Sequence, residues 1–186
     1  RITEPRVRID LGGIAKGYAV DRAIEVLQTA GVKSALVNGG GDLRAMGSTP
    51  DSVGWTVEIA TSGKRAAQQP ESLQFILTDA AVATSGDAYR YMEVDGTRYS
   101  HLIDPKTGIG ATRRRTVSVY AKSCMQADAL ASALSVMPSE AGSKLVATLG
   151  DVAARIVDVS EEHGVRIESS PGFPSRDLVA EPPDSQ

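Results

Sequence analysis

The stretch Asp10-Leu11-Gly12-Gly13-Ile14-Ala15-Lys16-Gly17-Tyr18-Ala19-Val20-Asp21 decides how this chain is read. It gathers three glycines, one lysine and two carboxylates at a predicted strand-to-helix corner. Upstream, Arg6-Val7-Arg8-Ile9-Asp10 alternates polar and apolar residues and predicts a strand. Downstream, Val20, Ala23, Ile24 and Leu27 recur at helical spacing and predict a helix over Ile14–Ala30, with Gly31 as its C-cap. Lys16 falls in the first turn, where a cation opposes the helix macrodipole. An anion bound at the helix start would satisfy both the lysine and the free N–H groups. A plain tight turn with a solvated Lys16 is an equally open reading of this segment alone. The spacing is neither a Walker loop nor Gly-x-Gly-x-x-Gly.

The rest of the composition bounds the function. The chain has 186 residues, one domain's worth, and 41% of them are apolar, enough for a core. Aromatics are only 4%, so aliphatic residues and alanine must fill it. A net charge of -3 argues against a nucleic-acid partner, which calls for a basic face. The single cysteine, Cys124, excludes an internal disulfide and a cysteine-rich zinc site. No apolar run is long enough to cross a membrane as a helix, and no signal-peptide pattern is present in these residues. The first residue is Arg1 rather than Met, so a leader or longer N-terminal segment is expected upstream.

Working outward, strands are expected at Lys33–Val37, Trp55–Ala60, Leu73–Leu77, Ala80–Ala83 and Thr116–Ala121. Asn38-Gly39-Gly40-Gly41-Asp42 reads as a glycine loop that could carry chemistry by permitting positive φ or close backbone approach, or else as an ordinary turn capped by Asp42, and Gly63–Pro70 reads as a surface loop. Tyr91–Val94 and Thr97–Ser100 flank Asp95-Gly96, which predicts a hairpin with a type I′ turn. Helices are expected at Met125–Met137, ending before Pro138, and at Ser139–Leu149. Val152–Val159 and Val165–Ile167 close the fold as a strand pair. Residues 1–168 thus form the domain, and the proline-bearing residues 169–186 read as a disordered tail.

Two further segments carry chemistry. In Ser100-His101-Leu102-Ile103-Asp104-Pro105-Lys106-Thr107-Gly108, one of only two histidines precedes a strong turn sequence. His101 reads either as a site residue or as a satisfied strand histidine. In Ala127-Asp128-Ala129-Leu130-Ala131-Ser132-Ala133-Leu134, the helical stripe Leu130, Ala133, Leu134 and Met137 is the expected buried face. Asp128 and Ser132 stand one turn apart on a different face, where a carboxylate and a hydroxyl can ligate Mg²⁺. A dipole-serving Asp and an exposed Ser is the alternative.

In order, Asp10–Asp21, Val37–Asp42, Ala83-Thr84-Ser85-Gly86, Tyr99–Gly108 and Ala127–Leu134 resemble the motifs of the ApbE-like flavin transferases, from about residue 5 to 160. The resemblance implies an α+β fold with an antiparallel or mixed sheet flanked by helices. It implies an enzyme that binds FAD with Mg²⁺ and transfers FMN to a threonine or serine hydroxyl of an acceptor flavoprotein, releasing AMP. Acceptors in the family include redox-pump and electron-transfer subunits. A FAD pyrophosphatase or a non-catalytic FAD-binding module is the alternative. Carried onto this sequence, the metal ligands are Asp128, Ser132 (where the family usually has threonine) and the Ala15 carbonyl. Gly13 and Lys16 approach the FAD phosphates, and His101, Leu102 and Ile103 line the flavin site. Either His101 or a nearby carboxylate such as Asp128 serves the chemistry. Family members run longer at the N-terminus, including a Ser-Gly-Gly-x-Phe-Asp-type segment, so this chain is expected to be a fragment, a processed product or a shortened member. The resemblance also implies the bacterial cell envelope, with any membrane tie made by a lipid anchor outside these residues.

Overall fold

The computed structural model describes residues 3–60, 72–86, 91–160 and 162–174. The fold is α+β. Its centre is a six-stranded sheet built from β1 (Ala35–Gly39), β2 (Asp42–Met46), β5 (Ala81–Gly86), β10 (Arg114–Ala121), β11 (Ala153–Ser160) and β12 (Gly164–Ser169), in the order β1-β2-β5-β10-β11-β12. Every pairing in it is antiparallel. Two helices, α1 (Ala15–Thr29) and α2 (Cys124–Val136), cover one face, with α3 (Ser139–Ala147) beside α2. The hairpin of β3 (Trp55–Ala60) and β4 (Ser72–Leu77) covers the other. A second hairpin, β6 (Tyr91–Val94) with β7 (Thr97–Ser100), leads into a short ribbon of β8 (Ile103–Asp104) and β9 (Ile109–Gly110).

The layering follows from strand alternation, since successive side chains point to opposite faces. On β5, Ala81 and Ala83 face the helices, whereas Val82 faces the β3–β4 hairpin. On β10, Val117, Val119 and Ala121 pack against α2, whose contributions are Ala127, Ala131 and Leu134. Alanine on both sides of that contact lets helix and sheet approach closely, which suits a chain poor in aromatics. Phe75 and Leu77 anchor the other layer and are fully buried.

Several expectations need correction. Arg6–Asp10 is no strand: Val7, Ile9 and Leu11 are exposed, and no described strand pairs with them. Alternation gives a segment the propensity, but a strand exists only where a neighbour takes its hydrogen bonds. The Asn38–Asp42 loop is a two-residue hairpin turn. Gly40 and Gly41 both have positive φ (70° and 99°), and β2, which was not anticipated, leaves the turn at Asp42. The buried face of α2 is Ala127, Ala131 and Leu134 together with Asp128, while Leu130, Ala133 and Met137 are only half-buried. The shift arises because α1 covers the Asp128 side of α2. Order continues past residue 168: β12 runs to Ser169, Ser170 accepts from the Ala154 N–H through its Oγ, and Phe173 packs edge-on against Phe75. The expected Gly63–Pro70 loop and residues 175–186 lie outside the described residues. The Asp95-Gly96 turn has positive φ at both residues (49° and 74°), as a type I′ turn requires.

Leu134 joins α2 to the β10–β11 sheet and has no solvent exposure. Leu134→Ala is therefore expected to lower unfolding stability by about 2–5 kcal/mol, measured by urea denaturation.

Candidate functional site

The site grows out of one close crossing. Gly17, in the first turn of α1, lies so near the start of α2 that an added Cβ would stand 2.3 Å from the Cys124 carbonyl oxygen. Only glycine permits that approach. It brings the α1 backbone within reach of the second turn of α2, where Asp128 projects. Asp128 is 2% exposed, and its Oδ2 accepts the Gly17 N–H at 3.0 Å. Its Oδ1 lies 3.6 Å from Lys16 Nζ. Lys16 Nζ donates to Asp42 Oδ2, and Asp42, the first residue of β2, is 1% exposed. One ammonium group thus stands between two buried carboxylates that come from a helix and a strand far apart in sequence.

This arrangement revises the picture of a helix start open to an outside anion. Of the first donors of α1, Ala15 N–H is taken by the Leu11 carbonyl at 2.9 Å and Gly17 N–H by Asp128. The anion that the helix end serves is the protein's own Asp128, where the macrodipole favours it. Lys16 has the same partner, which explains a cation placed at the unfavourable end of a helix.

The charges do not balance. Two buried carboxylates face one lysine, so the cluster carries one surplus negative charge. Burial pushes the Asp42 pKa up; the Lys16 hydrogen bond and charge work against this, and the Asp128 charge reinforces it, leaving the pKa above the usual carboxylate value. Burial works against the Lys16 charge, but the hydrogen bond and charge of Asp42, joined by Asp128, outweigh it and hold the pKa above the ordinary lysine value. Nearby Cys124 is fully buried, and burial reinforced by the charges of Asp42, Asp21 and Asp128 pushes its thiol up to about 12. It is a neutral thiol at neutral pH and supplies no thiolate nucleophile.

Ser132 stands one helical turn after Asp128. Its Oγ is 3.3 Å from Ser85 Oγ on β5, and a Cβ on Gly13 would lie 3.4 Å from it. Gly13, Lys16, Asp128 and Ser132 therefore converge on one corner, and Ala15 sits on that corner as the first residue of α1. The donors gathered there are carboxylate and hydroxyl oxygens, the set that hard cations such as Mg²⁺ take. His101 and Leu102 form the bend between β7 and β8, and Ile103 opens β8. Leu102 N–H donates to Ser100 Oγ at 3.1 Å, and the Leu102 carbonyl accepts from Ala111 N–H at 2.8 Å. These bonds fix the bend to the β9 side of the ribbon and do not link it to the Lys16–Asp128 cluster.

Two residues of the cluster were not anticipated as site residues. Asp42 reads in the sequence as a turn cap. A two-residue Gly40-Gly41 turn, however, pairs it with Gly39 and directs it inward, and that count was the available signal. Ser85 lies in the Ala83–Gly86 motif, which marks the segment as part of the resemblance but not Ser85 as the residue that meets Ser132 once β5 is set beside α2.

Gly17→Ala provides a test whose sign is diagnostic. In an ordinary helix interior this change adds stability, about 1 kcal/mol. Here the methyl group meets the Cys124 carbonyl, so a loss of about 1–3 kcal/mol is expected in urea denaturation.

Known proteins are similar to this chain in sequence and fold. Residues 1–156 match the ApbE family. An FAD:protein FMN transferase of Vibrio cholerae is 43% identical over 141 residues, covering 74% of this chain and 41% of the relative. One from Haemophilus influenzae is 32% identical, covering 91% and 48% respectively. Among solved structures, the flavin transferase ApbE of Vibrio cholerae superposes with a TM-score of 0.78 at 35% identity, covering 91% of this chain and 52% of that one. The apo flavinyl transferase ApbE of Pseudomonas stutzeri gives 0.75 at 36% identity, covering 92% and 51%. The chain spans about half the length of the relatives it matches. By sequence and by fold, the chain belongs to the ApbE family.

Proposed function

We propose that this chain carries the metal and phosphate half of an FAD:protein FMN transferase site. The observation that carries the reading is the corner where Lys16, Asp42, Asp128 and Ser132 meet with one surplus negative charge. Asp128 and Ser132, with the Ala15 carbonyl, would hold Mg²⁺, whose positive charge suits a cluster that one lysine leaves under-compensated. When bound, Mg²⁺ supplies charge neutralisation to the FAD pyrophosphate. Lys16 is half-exposed, so its ammonium group stands at the mouth of the corner, where a phosphate can share it.

The remaining steps belong to the chain's own groups. The acceptor threonine or serine oxygen bonds to the FMN phosphorus, the pyrophosphate P–O bond breaks, and AMP leaves. Either His101 or a nearby carboxylate such as Asp128 takes the proton of the acceptor hydroxyl. Leu102 and Ile103, next to His101, offer apolar contact to the isoalloxazine ring. The acceptor is a flavoprotein, a redox-pump or electron-transfer subunit, at the cell envelope. In a second reading the chain binds FAD, or hydrolyses it to FMN and AMP, without an acceptor.

The experiment incubates the chain with FAD, Mg²⁺ and an acceptor carrying a target threonine. AMP release together with flavin on the acceptor is the expected result. AMP with free FMN would favour the hydrolase, and bound FAD without AMP the binding module. Asp128→Ala is expected to abolish Mg²⁺-dependent FAD turnover, and unchanged turnover in that variant would refute the metal assignment.

A further inference from the structure

Asp21 is a buried carboxylate that neither the metal nor the phosphate reading uses. It sits one turn after Gly17 on α1, yet its hydrogen bonds leave the helix. Its Oδ1 accepts the Cys124 N–H at 2.8 Å and the Arg44 Nη1–H at 2.6 Å, and its Oδ2 accepts the Met125 N–H at 2.9 Å. Cys124 and Met125 are the first two residues of α2. The third donor, Gln126 N–H, goes to the helix's own cap, Ser123 Oγ, at 3.2 Å. The start of α2 is thus closed by two caps, one local and one from another helix. Arg44 on β2 holds the same carboxylate from the sheet side.

We infer that Asp21 is a positioning residue that sets where α2 lies against α1, and with it where Asp128 and Ser132 stand relative to Lys16. Three contacts define the crossing. Gly17 admits the Cys124 carbonyl, Asp21 grips the first two α2 amides, and Asp128 reaches back to Gly17 N–H. Two of them are directional, and they act on α2 a turn apart, so together they fix its rotation as well as its distance. Ser123 does none of this, because its side chain accepts from the Gln126 N–H of α2 itself. Losing Asp21 therefore shifts the ligand-bearing helix, whereas losing Ser123 only weakens it. This inference rests on the reading of Asp128 and Ser132 as metal ligands.

The test titrates the chain with Mn²⁺ alone, followed by electron paramagnetic resonance, and follows amide exchange by NMR. Asp21→Asn places an amide nitrogen against an N–H donor. It is expected to speed exchange at Cys124 and Met125 and to weaken Mn²⁺ binding by about tenfold or more. Asp21→Glu keeps the charge and both oxygens one methylene further out. It is expected to fold with near-native exchange elsewhere and still to bind Mn²⁺ more weakly, which covers the case in which the asparagine variant fails to fold. Ser123→Ala is expected to lower the melting temperature with Mn²⁺ affinity unchanged. Native Mn²⁺ affinity in a folded Asp21 variant would reduce Asp21 to a helix cap and overturn the inference, as would an equal loss of affinity in Ser123→Ala. Asp128→Ala separates the two levels. If it binds Mn²⁺ like the unaltered chain, the ligand reading fails and the positioning role falls with it. If it does not bind while the Asp21 variants bind normally, the positioning role alone fails.

Discussion

The bond from Gly17 N–H to the buried carboxylate of Asp128 is the interaction on which the site depends. A carboxylate stripped of water is costly unless hydrogen-bonded and paired. Asp128 meets that condition only because the first turn of α1 packs against α2 at Gly17 with no side chain between them. The same approach places Lys16 between Asp128 and Asp42 and brings Gly13 beside Ser132. Were the helices held further apart, all of these contacts would be lost together. The sheet supplies the platform, since β2 delivers Asp42 and Arg44, and β5 delivers Ser85.

Most of the elements were legible in the sequence, and the failures share a cause. The helices α1 and α2 and the Asp95-Gly96 hairpin are set by local periodicity and turn chemistry, so they can be read locally. Arg6–Asp10 has the pattern of a strand without a described partner, and a partner is not a local property. β2 was hidden because three successive glycines read as a loop, although only two of them form the turn. Asp128 and Ser132 could be singled out by their one-turn spacing and by resemblance. The burial of Asp128 could not, because it comes from α1 lying over a face that α2 alone would expose. Asp42 and Asp21 were the least legible. Each acts across 26 or more than 100 residues, on a lysine in one case and on backbone amides in the other.

The charge balance links this architecture to chemistry. A single lysine serving two buried carboxylates leaves the corner short of positive charge, and burial, reinforced by the Asp128 charge, holds the Asp42 pKa above its usual value. Such a cluster suits a divalent cation, and the cation in turn suits the phosphates of a dinucleotide. Lys16 would then serve two roles, compensating Asp42 within the fold and facing a phosphate at the exposed end of its side chain.

The most direct measurement is the position of a divalent ion, obtained by anomalous diffraction from crystals of this chain grown with Mn²⁺. The account predicts one strong peak about 2.1 Å from an Asp128 carboxylate oxygen, with Ser132 Oγ also in its coordination shell. A peak bound elsewhere, with Asp128 still engaged by Lys16 and Gly17 alone, would contradict it.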